Sequence, residues 1–463
     1  MAEKVSATAN MMTREHKEQL TGEPRWLKQE RDAAFELYLR MPIPSANDEG
    51  WRRTIVDSLN LPELTPIAFA LKRLEETSLP QWFQTGLKHI ENPAAVMALS
   101  SKGLWQTGLS DELSAKGVIF CDLQTAIEKH PQLVQQYFDS DSSHEIPELL
   151  ESKFGLMNKC MFNGGVFLYI PKSIEIAQPF VSLTLIDNLT PSGASFPRIL
   201  VVAQPESKAQ FVHVFASESL SATETSASDA KDNLSFSNAL VEIHAEAGAK
   251  FDYIELQHFA NNVFAVTETY NVIARDAQFS QLCVGLGAAQ LKGDIETAMQ
   301  EPGARSDVQG LVLGDGNQHF SFNTIQEHNA PDTTSNINFK VALKGESSSI
   351  YQGIIRVAKI AQRTDAMQNN KNLLLGAESR ADSIPKLEIL ADDVKCSHGA
   401  TVGPVDREQL FYLMTRGLSA EEAEQLIVVG FFRQVLEACS VPGVSTWVSN
   451  LVTEKITGKP VKQ

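Results

Sequence analysis

A mainly β core bracketed by helical segments is the fold class this sequence predicts. Three observations carry it. From about residue 160 to residue 400, short runs rich in β-branched and aromatic residues follow one another. Small or polar turns separate these runs, and no helical pattern intervenes, which excludes an alternating β/α sheet. On both sides of this region apolar residues recur at helical spacing. A sandwich, a barrel and a stacked solenoid remain open for the β region.

The elements follow in order. The polar stretch 1–23 reads as a flexible tail. Glu23-Pro24-Arg25-Trp26-Leu27 opens a helix, because proline is tolerated in a first turn. Leu27, Ala34, Leu37, Tyr38 and Met41 recur at its spacing, and Pro42 and Pro44 stop it. A strand-like Val118–Cys121 and a helical Leu123–Phe138 come next, and Asp139–Ser143 reads as a linker. The β runs begin with Val166–Ile170 and Phe180–Leu185 and end with Ile350–Val357 and Leu387–Leu390. Ser217–Asn233 is Ser-rich and nearly lacks large apolar residues, so it reads as a flexible insertion. The clearest local signal is Ser419-Ala420-Glu421-Glu422, with capping-box spacing. Ala423, Leu426, Ile427, Gly430, Phe431 and Val435 form an apolar stripe behind it. Trp447, Val448, Leu451 and Val452 suggest a further helix after Pro442-Gly443.

Within the β region, turn-like units recur at Ala247-Gly248-Ala249, Ala274-Arg275-Asp276-Ala277 and Glu301-Pro302-Gly303-Ala304. The interval is about 27 residues, within the range of solenoid coils. In Gln362–Asn370 the even positions read Gln, Thr, Ala, Gln, Asn, and period two puts them on one face. Such a face suits a stacked sheet with amide ladders, and it equally suits an exposed polar strand.

Composition narrows function. The chain has 463 residues, 43% hydrophobic and 21% charged, with a formal net charge of −17. An excess of 57 acidic over 40 basic residues argues against a general nucleic-acid binder, which needs surplus Lys and Arg. The five cysteines contain no C-x-x-C pair, so no self-contained Cys₄ zinc or ferredoxin-type motif is present. Scattered cysteines fit a reducing compartment. The first 20 residues lack an apolar run of signal-peptide length, and no run reaches the ~20 residues of a membrane span. A cytoplasmic protein is expected, without membrane or nucleic-acid partners.

The chemistry-bearing pair is Cys396 and His398, two residues apart in Asp392–Thr401. On a strand they share a face with Cα atoms about 6–7 Å apart. A thiolate and an imidazole so placed suit iron or zinc. Two ligands are not a site, and a buried thiol beside a hydrogen-bonded histidine is the alternative. His213, His244, His258, His319 and His328 stand alone in strand-like runs, as core or surface histidines do. There is no phosphate-binding G-x-x-x-x-G-K-[ST] loop, hence no ATP site of that kind, and no G-x-S-x-G or H-E-x-x-H.

Several of these stretches resemble a known family. Leu387–Gly403, with Asp392-Asp393-Val394-Lys395-Cys396-Ser397-His398-Gly399, is similar to the C-terminal signature of the SufB/SufD family, subunits of the SUF iron–sulfur cluster assembly machinery. Leu410–Leu418, Gly430-Phe431-Phe432, Gln362–Ala366 and Asn372–Gly376 also match that pattern, and Glu23–Leu27 and Trp51-Arg52 resemble its N-terminal elements. Within the family the chain looks like the SufD branch. SufB chains typically carry Glu-His-Glu-Ala-Thr-Thr-Ser where this one has Ser397–Gly403, and a cysteine at the position aligned with Asn370.

The resemblance implies a right-handed parallel β-helix over 156–403. It also implies a mostly helical N-terminal domain over 24–155 and a C-terminal helical domain over 404–463. It implies a non-catalytic scaffold that pairs with SufB and docks the ABC-type ATPase SufC through its C-terminal helices. His398, and with it Cys396, would meet iron or a transient iron–sulfur cluster at the SufB–SufD interface. A homodimer in isolation is a further expectation. The rival readings are a SufB partner that contributes no ligand, and a polysaccharide-active β-helix enzyme.

Overall fold

The computed structural model describes residues 23–54, 56, 59, 61–138, 149–150, 152–187, 192–218 and 234–459. The tail, the linker at 139–143 and almost all of the 217–233 insertion fall outside the described residues. Nine helices are described: α1 (Arg25–Arg40), α2 (Gln81–Leu87), α3 (Asp111–Ala115), α4 (Leu123–Lys129), α5 (Pro131–Phe138), α6 (Lys153–Met161), α7 (Arg407–Thr415), α8 (Ala420–Glu437) and α9 (Pro442–Thr457). The N-terminal part also supplies short strands: β1 (Thr65–Pro66), β2 (Ala95–Ser100), β3 (Leu104–Gln106) and β4 (Ile119–Asp122). Then come β5 (Gly164–Ile170), β6 (Phe180–Ile186), β7 (Gly193–Ser195), β8 (Pro197–Ala203), β9 (Lys208–Ser217), β10 (Ser235–Ala245), β11 (Lys250–His258), β12 (Val263–Ile273) and β13 (Gln278–Gly285). The run closes with β14 (Gln290–Met299), β15 (Arg305–Gly314), β16 (His319–His328), β17 (Thr334–Leu343), β18 (Ser348–Val357), β19 (Thr364–Leu374), β20 (Arg380–Ile389) and β21 (Val394–Pro404).

These strands form a parallel β-solenoid. One sheet runs β20-β18-β16-β14-β12-β10-β8-β5-β4, and the other β21-β19-β17-β15-β13-β11-β9-β6-β2-β3. From β8 onward each coil adds one long strand to each sheet, in parallel register with the coil before. The open choice between sandwich, barrel and solenoid is thereby resolved. The turn-like units seen in the sequence are the corners between the sheets. At them Ser173, Glu206, Gly248, Asp276, Gly303, Asp332 and Arg363 all take positive φ. Each N–H bonds a carbonyl of the next corner, as Gly248 does to Arg275 (2.8 Å) and Asp332 to Gln362 (3.0 Å).

Three layers of apolar packing hold the coils. Between the sheets lies a lumen filled by inward residues such as Phe180, Phe211, Phe251, Phe279, Phe322 and Phe339. The outer face of the β9–β15 sheet packs on α2, α8 and α9 through Val212, Ile254, Leu282, Phe83, Phe432 and Trp447. The outer face of the other sheet packs on α1, α4, α5 and α6. Strands covered on both faces read as continuous apolar runs, as β8 does.

Three local expectations shift. The helical stretch 123–138 is two helices, because Pro131 lacks an N–H to continue α4 and His130 leaves the helical region. Leu37 and Met41 of α1 face solvent, and the buried stripe instead includes Arg31 and Phe35. Arg31 escapes an apolar pattern because it is charged, yet its Nη2 donates to the Phe162 carbonyl (2.6 Å) and it pairs with Glu23. In α8 the capping box forms as expected, but the buried face is Ala423, Val428, Phe432, Val435 and Leu436. Leu426 and Gly430 are exposed. This helix is apolar on more than one side, so its period cannot tell which side packs.

The lumen and the outer layers also bury titratable groups. Ser152, the N-cap of α6, donates to the buried Glu268 and accepts from the Gly155 N–H (2.8 Å). Desolvation pushes the Glu268 carboxyl up to about 8, partly opposed by the Ser152 hydrogen bond. The folded chain therefore holds a proton that the unfolded chain releases above about 4.5. Stability attached to this group falls as pH rises between those two values. The Glu268→Gln variant keeps an acceptor and does not titrate, so its unfolding free energy should gain on the parent's steadily from pH 5 to pH 8. Parallel urea-unfolding curves across that range would exclude the assignment.

Two glycines give a contrasting pair. Gly248 has φ +69 with no atom nearer than 3.6 Å to an added Cβ, so Gly248→Ala should lose about 1–2 kcal/mol from backbone strain alone. At Gly165 (φ +151) an added Cβ would lie 1.7 Å from the Arg198 carbonyl oxygen, across the β5–β8 pairing. Gly165→Ala should cost roughly 4 kcal/mol or more. Equal losses on urea unfolding would show that the first coil tolerates opening.

Candidate functional site

The last coil differs from those before it. β20 and β21 end their sheets, with no described strand on their outer edges. Burial falls accordingly: β8 is wholly buried, whereas β20 is half-buried and β21 is largely exposed. In β19 the even residues Thr364, Ala366, Gln368, Asn370 and Asn372 are buried and the odd ones mostly exposed. The polar face noticed in the sequence therefore points into the lumen. Their partners in β21 are Val394, Cys396, His398, Ala400 and Val402. Cys396 and His398 accordingly share the inward face, at the mouth of the lumen.

Cys396 is half-buried beside Ala366, Ile355, Val357 and Leu387. Burial, and then the Asp365 carboxylate, raise its thiol above the ordinary range. It therefore rests as a thiol, and a cation must displace the proton to bind it. His398 is exposed and stands over Gln368. Among the described residues no group of three or more His, Cys, Asp and Glu side chains is close enough to hold a metal ion. Cys396 and His398 are two donor side chains on one face and do not by themselves make a metal site.

Three of the other histidines have local partners. His213 and His328 are sealed in the lumen. The first bonds Ser182 (2.5 Å) and Thr184, the second Thr333 (2.7 Å) and Ser335. His319 bonds Thr54 and Ser348. Glu327 and Glu388 share Arg356 at 2.6 and 2.9 Å, so these carboxylates are paired across coils rather than poised for acid–base work. A cleft of about 1290 Å³ is lined by Trp82, His258, Asn261, Gln318 and Lys455, and no residue of β19–β21 belongs to it.

Two exposed apolar areas escaped the sequence reading. One surrounds the last coils: Ile360 (69% exposed), Leu390 (71%), Met367 and Val402. The other is Phe411 (68%), Tyr412 and Met414 on α7 with Leu426 on α8. Periodicity assigns a face but not what covers it, so nothing in the sequence marked these residues as exposed. Patches of this kind mark interaction surfaces. Among the described residues no helix is long and apolar enough to cross a membrane.

Comparison with known proteins agrees with this architecture. Residues 186–431 match the profile of the SUF system FeS cluster assembly SufBD core domain, and residues 8–181 that of the SufBD protein N-terminal region. The chain is 27% identical to the iron–sulfur cluster assembly protein SufD of Bacillus subtilis, over 94% of its own length and 95% of the relative's. It is 26% identical to SufB of the same organism, over 88% and 85%. An iron–sulfur cluster assembly SufBD family protein of Staphylococcus aureus is 26% identical, over 89% and 85%. A core profile that spans more than half the chain, on a solenoid with one open end, places this protein in the SufB/SufD family of the SUF iron–sulfur cluster assembly system.

Proposed function

We propose that this chain is a SufD-type scaffold subunit, not itself an enzyme, that works in the cytoplasm. Its open last coil pairs with a SufB-type subunit, and its α7–α8 surface docks the SufC ATPase. The observation that carries the reading is the last coil itself. An unpaired parallel edge with exposed apolar residues is a surface that needs cover. The same coil presents an exposed imidazole and a half-buried thiol from the lumen mouth.

The branch rests on Asn370. It lies buried in the lumen, accepts from the Asn372 amide (2.6 Å) and donates to the Phe339 carbonyl (3.4 Å). An amide cannot take up sulfur as a thiolate does, so the sulfur-accepting cysteine belongs to the partner. In this division of labour, His398 offers a neutral nitrogen to incoming iron and Cys396 adds sulfur once its proton is displaced. Fixed strands hold both donors at constant spacing. ATP-driven closure of the docked ATPase would move the attached helices and change access to the covered mouth. The alternative of a purely structural partner is distinguished by the first test below.

The complex carrying His398→Ala should still assemble but should hold about tenfold less iron and sulfide than the parent, the scale seen when a metal's near shell is damaged. Normal cluster content in an intact complex would remove the ligand role and leave the structural one. Footprinting tests the pairing separately. In the isolated chain diethyl pyrocarbonate should modify His398 well ahead of the sealed His213 and His328. Addition of a SufB-type partner should protect His398 and leave the other rates unchanged. A His398 still open to reagent in the assembled complex would rule out pairing through the last coil.

A further inference from the structure

Directly beneath His398 in the parallel ladder is Gln368, 1% exposed. Neither its amide nitrogen nor its amide oxygen has a hydrogen-bond partner among the described protein atoms. Leaving both ends of a buried amide unpaired is costly, and such groups call for a reason. Gln326, deeper in the lumen, is unpaired in the same way but is roofed by later coils. Gln368 has only the open last coil above it.

The amide also has a seat made for it. Gly353 of β18 faces it across the lumen, and a Cβ there would lie 2.2 Å from the Gln368 Nε2 and 2.6 Å from its Oε1. Only the absence of a side chain at 353 lets the amide lie across the lumen below the mouth. Same-face side chains of neighbouring strands stand about 4.8 Å apart at their bases, so the amide, which here lies against Gly353, needs only a turn of its end toward the mouth to meet the imidazole above.

We propose that Gln368 is a positioning residue for His398. The isolated chain does not make this bond; when iron or the partner settles the imidazole over the mouth, the free Oε1 turns to accept the N–H of one ring nitrogen, fixing one tautomer and leaving the other nitrogen's lone pair for the metal. A histidine that binds metal commonly gives its other N–H to a carbonyl or carboxylate, which aligns the ring. Here the carbonyl is supplied from one coil below, in a place where the same amide has nothing else to bind. The inference rests on the reading of His398 as an iron donor, and it adds the residue that would orient it.

The test uses the full chain and the assembled complex with Gln368→Leu, Gln368→Glu and His398→Ala. Nitrogen-15 NMR of the assembled complex with histidine-labelled chain should show His398 as a single tautomer in the parent and in Gln368→Glu. In Gln368→Leu it should show a mixture. Gln368→Leu should be no less stable to urea than the parent, since it removes an unpaired buried amide. Its complex should nevertheless carry about tenfold less iron and sulfide, while Gln368→Glu, which restores an acceptor, stays within twofold of the parent. An unchanged tautomer in Gln368→Leu, or unchanged cluster content beside a clear His398→Ala loss, overturns the role of Gln368 and leaves His398 as donor. If His398→Ala itself loses nothing, the donor reading fails, while the tautomer measurement still decides whether the amide holds the ring.

Discussion

In-register hydrogen bonding between one coil and the next is the constraint from which the rest follows. A parallel strand has unsatisfied N–H and C=O groups on both edges, and the only cheap remedy is another strand in the same register. Each coil therefore solves its neighbour's problem and creates one of its own. The stack can end only where something else takes over. At the N-terminal end the chain supplies that cover itself, through β2 and β3 in one sheet and the antiparallel β4 in the other. At the C-terminal end no described strand does so, and β20 and β21 stand last in their sheets. An open end is costly for a monomer and useful for a subunit.

This asymmetry explains the separation of jobs within one chain. The helices that follow β21 do not fold over the mouth. α8 and α9 return along the outer face of the β9–β15 sheet, where Phe432, Val435, Trp447 and Val448 close the apolar layer. That layer fixes the C-terminal helices to coils well below the last one. Lys455 strengthens the attachment by donating to the Leu286 carbonyl and the Gln318 side chain. α7, which bridges the open coil and this helical layer, keeps Phe411 and Tyr412 in solvent. A force applied to α7 and α8 would thus be transmitted to the stack whose last coil carries Cys396 and His398.

Much of this was legible in the sequence, and the rest was not for identifiable reasons. The absence of helical periodicity after residue 160 and the recurring small corner residues are local properties, and they survive in the structure as strands and as a ladder of positive-φ corners. The capping box at Ser419 and Glu422 is local as well. Whether the strands close as a sandwich or climb as a solenoid depends on which run pairs with which. That information lies in the register, and only the family resemblance supplied it. For the site, period two placed Cys396 and His398 on one face, and the even residues of Gln362–Asn370 on another. It could not show that the two faces are the same lumen one coil apart, because a stacking interval of about 30 residues exceeds any local pattern. Leu390, Phe411 and Leu426 illustrate the other limit: an apolar residue looks alike in sequence whether its cover comes from its own chain or from another.

The position of Cys396 and His398 on the last coil also follows from what a lumen can hold. Inside a closed coil each inward side chain meets packing on all sides, and several polar ones turn to each other, as His213 does to Ser182 and His328 to Thr333. Such groups are satisfied and enclosed, so they cannot serve cargo that arrives and leaves. An outward face would expose a donor but would give up the support of the buried lumen residues. The inward face of the final coil satisfies both demands. It keeps the support of buried residues such as Ala366 and Gln368 on one side and is open on the other. If the proposed role of Cys396 and His398 holds, their geometry is set by backbone register rather than by a deep pocket, and cargo can enter and leave where the stack stops.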